Sequence, residues 1–249
     1  MKYRIALVEY LNTLPFSLGI KHLQLDNRFE VCTVTPAQCA RLFEQGDVDI
    51  SLCPVGALDE MPPHEIRGNF CIGADGSVGT VKLLSKVPLD NITRVRLDDH
   101  SRTSNLLVQI LAANWWKKEW EFYTDADQSM PEACLMIGDK VFANAGHYPF
   151  HFDLAAAWKE LTGKPMVFAV WIARPGIPDE AMHLLDDAFK SGMAFIKSGQ
   201  SGLADWQIAY LLHNISYPLD NEKMEAMHLF FKWAKAIASE PASDIRNSL

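Results

Sequence analysis

Hydrophobic positions along the first three-quarters of the chain switch repeatedly between a run or two-residue alternation and a helical spacing. "RIALV" reads as a buried strand, and "LPFSLGIKHL" as a short helix entered through Asn12-Thr13 with Pro15 in its first turn. "FEVCTV" alternates as a strand. "TPAQCARLFEQG" then sets Thr35 at the N-cap, Pro36 at N1, Gln38 at N3 and Gly46 just past the end, a capping box closed by a C′ glycine. "VDISLCP" predicts a strand stopped by Pro54, and "FCIGADG" and "VGTVKLLSK" flank a glycine-rich turn, Gly76-Ser77-Val78-Gly79. "RVRLDD" is a strand that runs into "SRTSNLLVQILAANWW", a helix with Leu106, Leu107, Ile110 and Leu111 on its apolar face. "EACLMIGD" predicts a strand, "FDLAAAWKELTG" a helix ending at Gly163, and "MVFAVWIA" the most hydrophobic strand of the chain.

Beyond Pro175 and Pro178 the pattern is helical only: Asp179–Ser198, Gly202–His213 and Leu219–Ala238. Met227, Phe230, Phe231, Ala234 and Ile237 form one stripe on the last of these, which reads as core. No repeats or low-complexity segments interrupt the chain. Two strand–helix groups joined by extended crossings near Leu84–Leu89 and Val170–Pro175 predict an α/β fold of two lobes. Residues 1–86 with 175–249 are expected to form lobe 1 and residues 87–174 lobe 2, each a mixed sheet flanked by helices, with a ligand cleft between them.

Composition narrows the function classes. The 249 residues are 49% hydrophobic and 22% charged, enough for a sizeable core. A net charge of −8 gives a nucleic-acid partner no electrostatic support, and an anionic ligand would need local donors. The five cysteines are odd in number and form no CxxC pair, which favours reduced thiols. Lys2 and Arg4 precede an apolar run too short for a signal peptide, and no stretch approaches ~20 apolar residues. A cytoplasmic protein without membrane association is expected.

Three constellations could carry chemistry. In "DDHSRTSN" a strand ends where Ser101, Arg102, Thr103 and Ser104 start a helix, whose unpaired N–H groups, dipole and hydroxyls suit a small carboxylate. An ordinary N-cap explains the same residues. In "ADGSVGTVKLLSK", Gly76 and Gly79 allow close backbone approach, and Ser77 and Thr80 supply hydroxyls. A simple turn between strands is the competing account, and neither a Walker A nor a GxGxxG pattern is present. In "DVDISLCPVGAL", Ser51 and Pro54 lie at a strand's end, the same placement as Asn12. Asp139 closes "LMIGD" and either faces the cleft or caps the next helix. His147 and His151 have i, i+4 spacing, but Pro149 between them argues against the helix a zinc pair uses, so no metal is expected. No GxSxG elbow occurs. Trp115, Trp116 and Trp120 read as packing residues.

Taken together, "YLNTLPF", "VDISLCPVGAL", "GSVGTVKLLSKVPL", "LDDHSRTSNLLVQIL", "LMIGD" and "FDLAAAWKELTGKPMVFAVW" resemble, in order through about Arg174, the chorismate dehydratases of the futalosine route to menaquinone. The resemblance implies a periplasmic-binding-protein-like fold of type II used as a cytosolic enzyme, a monomer or homodimer. It implies loss of water from chorismate to give 3-[(1-carboxyvinyl)oxy]benzoate with no metal or organic cofactor. By the same resemblance Asn12 is an active-site amide, and Thr80 stands where the family carries a serine hydroxyl. Ser101, Arg102, Thr103 and Ser104 match the carboxylate-binding helix start, and Ser51 matches a cleft-lining position. No His or Lys base emerges, which leaves a substrate carboxylate as a candidate proton acceptor. Two alternatives stay open: a cytosolic binding protein for a small aromatic carboxylate, and the sister enzyme that forms dihydroxy-naphthoate, which relies on a His base in the second lobe, where His147 is the nearest candidate.

Overall fold

Three βα steps begin the chain. In the computed structural model, which describes residues 2–124 and 131–239, β1 (Tyr3–Val8) is followed by α1 (Leu14–His22), β2 (Phe29–Val34) by α2 (Pro36–Gln45), and β3 (Ile50–Pro54) by a short 3-10 turn. The α2 capping box forms as the sequence specifies: the Thr35 side chain accepts from the Gln38 N–H, Gln38 bonds back to the Thr35 N–H, and Gly46 ends the helix at φ 85°. The long β4 (Glu65–Ala74) leads to β5 (Val81–Ser85), β6 (Arg94–Arg96), α3 (Arg102–Leu111), β7 (Glu121–Tyr123), β8 (Ala133–Ile137), α4 (Lys140–Asn144), β9 (Phe150–Asp153), α5 (Leu154–Thr162) and β10 (Met166–Ala173). Three helices finish the chain: α6 (Asp179–Lys197), α7 (Asp205–His213) and α8 (Asn221–Ser239).

Two five-stranded sheets result, ordered β2-β1-β3-β10-β4 and β7-β6-β8-β5-β9. In each, three parallel strands are followed by an antiparallel one, β10 in the first sheet and β5 in the second. The expected boundaries, after residue 86 and before residue 175, therefore shift. Val81–Ser85 pairs with β8 and β9 in the second sheet, and Met166–Ala173 pairs with β3 and β4 in the first. The chain crosses between lobes at residues 75–80 and 163–165. The reason is physical: a short apolar run shows that a strand is buried, whereas its sheet is decided by hydrogen-bond partners far away in sequence. β10 is buried at every one of its positions, as an interior strand covered on both faces must be.

The tail is also more than part of lobe 1. α6 packs on α1 through two glycines: a Cβ on Gly19 would lie 1.6 Å from the Ala188 carbonyl oxygen, and one on Gly192 1.8 Å from that of Pro15. α8 lies across both lobes, against β10 of the first and α3 of the second. Its stripe packs as read, with Met227 and Phe230 buried and the Phe230 ring 6.2 Å from Trp158 of α5. Trp116 and Trp120 pack with Phe152 and Phe122 in the second lobe, while Trp115 is partly exposed. All five cysteines are free thiols, four of them buried.

Candidate functional site

Strand ends from both lobes meet around one small, partly open cavity of about 60 Å³. Lobe 1 contributes the segment after β1, the end of β3 and the first half of β10; lobe 2 contributes Thr80 just before β5, the turn after β8 and the start of α3. This is the carboxyl-edge position at which α/β sheets bind ligands. Among the described residues that wall it, none is Lys, Arg, His, Asp or Glu; the polar groups are Tyr10, Asn12, Thr13, Thr80, Ser101, Thr103 and Ser104.

Asn12 sits in a 3-10 turn, Leu11–Thr13, between β1 and α1, so it is neither strand nor helix cap. Its backbone carbonyl accepts from the Tyr217 hydroxyl (2.9 Å), which fixes the turn against the tail. Its side-chain oxygen Oδ1 is buried and has no hydrogen-bond donor. A buried acceptor left alone costs ~1–3 kcal/mol, so this atom asks for a ligand N–H or O–H. Thr13, at the N-cap position of α1, makes no side-chain cap bond; its hydroxyl turns back to the carbonyls of Val8 and Tyr10 and seals the strand's end.

Thr80 is nearly fully buried, and its Oγ1 lies 2.7 Å from the hydroxyl of Tyr210 on α7. Burial pushes the Tyr210 hydroxyl well above the ordinary tyrosine range, so it is neutral.

The start of α3 is the third wall. Ser101 is the N-cap, accepting from the Ser104 N–H (3.1 Å) and donating to the Ser104 hydroxyl (2.8 Å). Thr103 ties the lobes together, accepting from the Gly56 N–H (3.0 Å) and donating to the Phe168 carbonyl (3.1 Å). First-turn N–H groups and the helix dipole give this wall its positive potential in place of a cationic side chain.

Five of the expected site residues lie elsewhere. Ser51 is fully buried inside β3, where its hydroxyl donates to the Cys39 carbonyl (3.1 Å) and closes the α2 packing. Arg102 points outward, half-exposed, and pairs with Glu60 across the lobe boundary. Gly76 and Ser77 lie in a turn that does bind a carboxylate, but that carboxylate is the protein's own. Asp153 accepts from the Ser77 hydroxyl (2.8 Å) and from the N–H groups of Val78 (3.2 Å) and Gly79 (2.7 Å). It also caps α5 through the N–H groups of Ala155 and Ala156. Asp139 makes no cap bond for α4; it faces the other lobe, accepting from the Leu11 N–H at 3.5 Å, and partial burial raises its carboxyl above the ordinary range.

Asp139 belongs to a second, larger groove of about 850 Å³ outside the cavity, with Phe142 of α4 and Trp206 of α7 on its rim. The Tyr10 ring stands between the two spaces and walls both. It is seated on Gly138, at φ 62°, where an added Cβ would come within 2.8 Å of the ring. Tyr10, Asp153, Tyr210 and Tyr217 are thus the site residues that motif reasoning missed. An Asp just before an apolar helix marks Asp153 as a cap; no local signal marks the two tail tyrosines. His147 is exposed on a turn outside the cavity. Among the described residues no three His, Cys, Asp or Glu side chains converge, and no helix is long and apolar enough to cross a membrane.

With this geometry in view, comparison with known proteins decides the family. A family model described as menaquinone biosynthesis matches residues 3–236. The chain belongs to the menaquinone-biosynthesis family. Solved structures share its fold. An Archaeoglobus fulgidus protein superposes with a TM-score of 0.74 at 14% identity, covering 95% of this chain and 98% of that one. A Candida albicans protein described as having the generic periplasmic-binding-protein fold gives 0.66 at 10% identity, over 96% and 91%. The periplasmic aliphatic sulphonate binding protein of Escherichia coli gives 0.60 at 16%, over 93% and 92%. The fold is therefore the periplasmic-binding-protein-like one, in a chain whose family serves menaquinone biosynthesis.

Proposed function

We propose that the chain is a chorismate dehydratase, removing water from chorismate to give 3-[(1-carboxyvinyl)oxy]benzoate. The observation that carries this reading is the buried, donor-less Oδ1 of Asn12, in a cavity whose walls hold hydroxyls and a helix start but no charged side chain. The substrate carries carboxylates for the α3 start and a ring hydroxyl able to donate to Asn12.

The elimination breaks the C3–H bond and the bond to the C4 hydroxyl, and the released electron pair completes an aromatic ring. Departing hydroxide and the C3 proton leave together as water. Aromatisation supplies the driving force, so the protein has to orient and stabilise. The Ser101–Ser104 turn holds a carboxylate into which charge delocalises. Asn12 orients the departing hydroxyl by accepting its proton in a hydrogen bond, and the Thr80 hydroxyl donates to its oxygen. With no basic side chain on the wall, a carboxylate of the substrate itself takes the C3 proton. The absence of histidine from the described wall disfavours the sister reaction, which needs a His base.

At about 60 Å³ the cavity is below the ~300–1,000 Å³ of ligand pockets, so the lobes part to admit substrate. The crossings at 75–80 and 163–165 are the natural hinge. Incubation with chorismate, followed by ultraviolet absorbance and mass spectrometry, tests the proposal. The expected result is conversion to an aromatic product lacking one water, lost in Asn12→Ala. Tight binding of unchanged chorismate would make the chain a binding protein instead.

A further inference from the structure

We infer that Tyr210, supplied by the C-terminal helix α7, is a positioning residue that turns the Thr80 hydroxyl into a donor aimed at the cavity. The inference rests on the dehydratase reading for its role in catalysis, and on hydrogen-bond accounting for its geometry.

Two buried hydroxyls meet here, the Tyr210 phenol and Thr80 Oγ1, and by distance alone either could be the donor. Among the described residues Thr80 Oγ1 is the hydrogen-bond partner of this phenol, so a proton passed the other way, from Thr80 to Tyr210, would leave the buried phenol proton without an acceptor. The phenol therefore gives its proton to Thr80, whose own proton can turn to the cavity. Thr80 Oγ1, 2.7 Å distant, is the acceptor in reach. Having accepted from Tyr210, Thr80 must send its own proton elsewhere, and the remaining open direction is the cavity it lines. The chain of donation therefore runs in one direction: Tyr210 O–H to Thr80, Thr80 O–H to the ligand. Cooperative polarisation along such a chain strengthens its last donor.

The framework holds these groups still. The Thr80 carbonyl accepts from the Gly138 N–H (2.8 Å), and the Asn214 side chain at the end of α7 donates to the Ser77 carbonyl (3.1 Å). The Tyr210 ring is 5% exposed and meets the Phe142 ring edge-on at 5.7 Å. A tail helix outside both sheets thus completes the site.

Tyr210→Phe keeps the ring and removes only the hydroxyl. With chorismate as substrate, kcat is expected to fall roughly 10- to 100-fold, less than the ~10²–10³ that losing a donor in direct contact costs, because Tyr210 acts through Thr80. KM should stay within about twofold and the melting temperature near that of the parent, as fits a group that acts through another. Thr80→Val should lose at least as much, Thr80→Ser should retain activity, and the Tyr210→Phe/Thr80→Val double variant should be no slower than Thr80→Val alone. Unchanged kcat in Tyr210→Phe, or losses that multiply in the double variant, overturns the inference. If the parent does not turn over chorismate, the dehydratase reading fails, and the same cycle is read as chorismate binding by calorimetry. Non-additive losses of affinity then support the positioning role, and additive ones or none overturn it.

Discussion

Adding one methyl at Gly138 separates two effects that a single substitution usually confounds. Gly138 adopts φ 62°, a left-handed conformation that costs an alanine about 1–2 kcal/mol whether or not the lobes are closed. The new Cβ would also lie 2.8, 2.9 and 2.9 Å from three carbons of the Tyr10 ring, across the lobe boundary. Ordinary carbon–carbon contact is ~3.5–4.0 Å, so the ring must retreat by roughly 1 Å. Overpacking of that size costs about 1–3 kcal/mol, and it acts only in the closed state. Closure should then weaken by roughly 5- to 150-fold. Urea unfolding reads the first effect and chorismate affinity the second, with the radius of gyration in solution scattering reporting the lobe opening. Gly138→Ala should lose stability and affinity together. In a Tyr10→Ala background the same change should still lose stability but cost no further affinity. If Gly138→Ala binds as tightly as the parent, or if Tyr10→Ala fails to relieve the affinity loss, the Tyr10 ring is not the contact on which closure rests.

Other expectations follow from single contacts. Gly192→Ala would place a Cβ 1.8 Å from the Pro15 carbonyl oxygen and force α1 and α6 apart, so a loss of at least ~3 kcal/mol in urea unfolding is expected. Asp153→Ala removes the α5 cap and leaves the Val78 and Gly79 N–H groups without their acceptor; a loss of about 1–3 kcal/mol is expected, and a neutral effect would show that the crossing is held by something else. Arg102→Ala should change stability by no more than about 1 kcal/mol and leave chorismate KM unaltered, because its guanidinium pairs with Glu60 at the surface. Burial holds the Cys53 and Cys71 thiols up to about 12, above an ordinary value near 9. The folded chain then keeps protons that the unfolded chain loses, so their contribution is intact below pH 9 and declines as pH rises towards 12, by up to ~1.4 kcal/mol per pH unit per thiol. A thiol reagent at pH 8 should reach half-buried Cys32 first and all five only after denaturation.

Sequence alone determined what is set within a few residues. The Thr35–Gln38 box, the Ser101 cap and the Gly163 stop are bonds between neighbours, and each formed as its residue types require. Hydrophobic period likewise identified the strands Tyr3–Val8 and Met166–Ala173 and the stripe of the last helix, since burial of a face leaves a period in the chain. The ordered motifs were specific enough to indicate the family. Tertiary structure decided what those residues face. The glycine-rich turn at Ser77–Gly79 offers its donors to a partner, as its residue types allow, but that partner is Asp153, more than 70 positions away. Arg102 and Ser51 had suitable side chains, but one turned to solvent and the other into the core. Thr80 acquired its direction from Tyr210, 130 positions later on a helix whose own pattern announces only packing. Capping and periodicity are local and leave a mark where they act, whereas a partner brought in by the fold is chosen by three-dimensional proximity, which no spacing along the chain records.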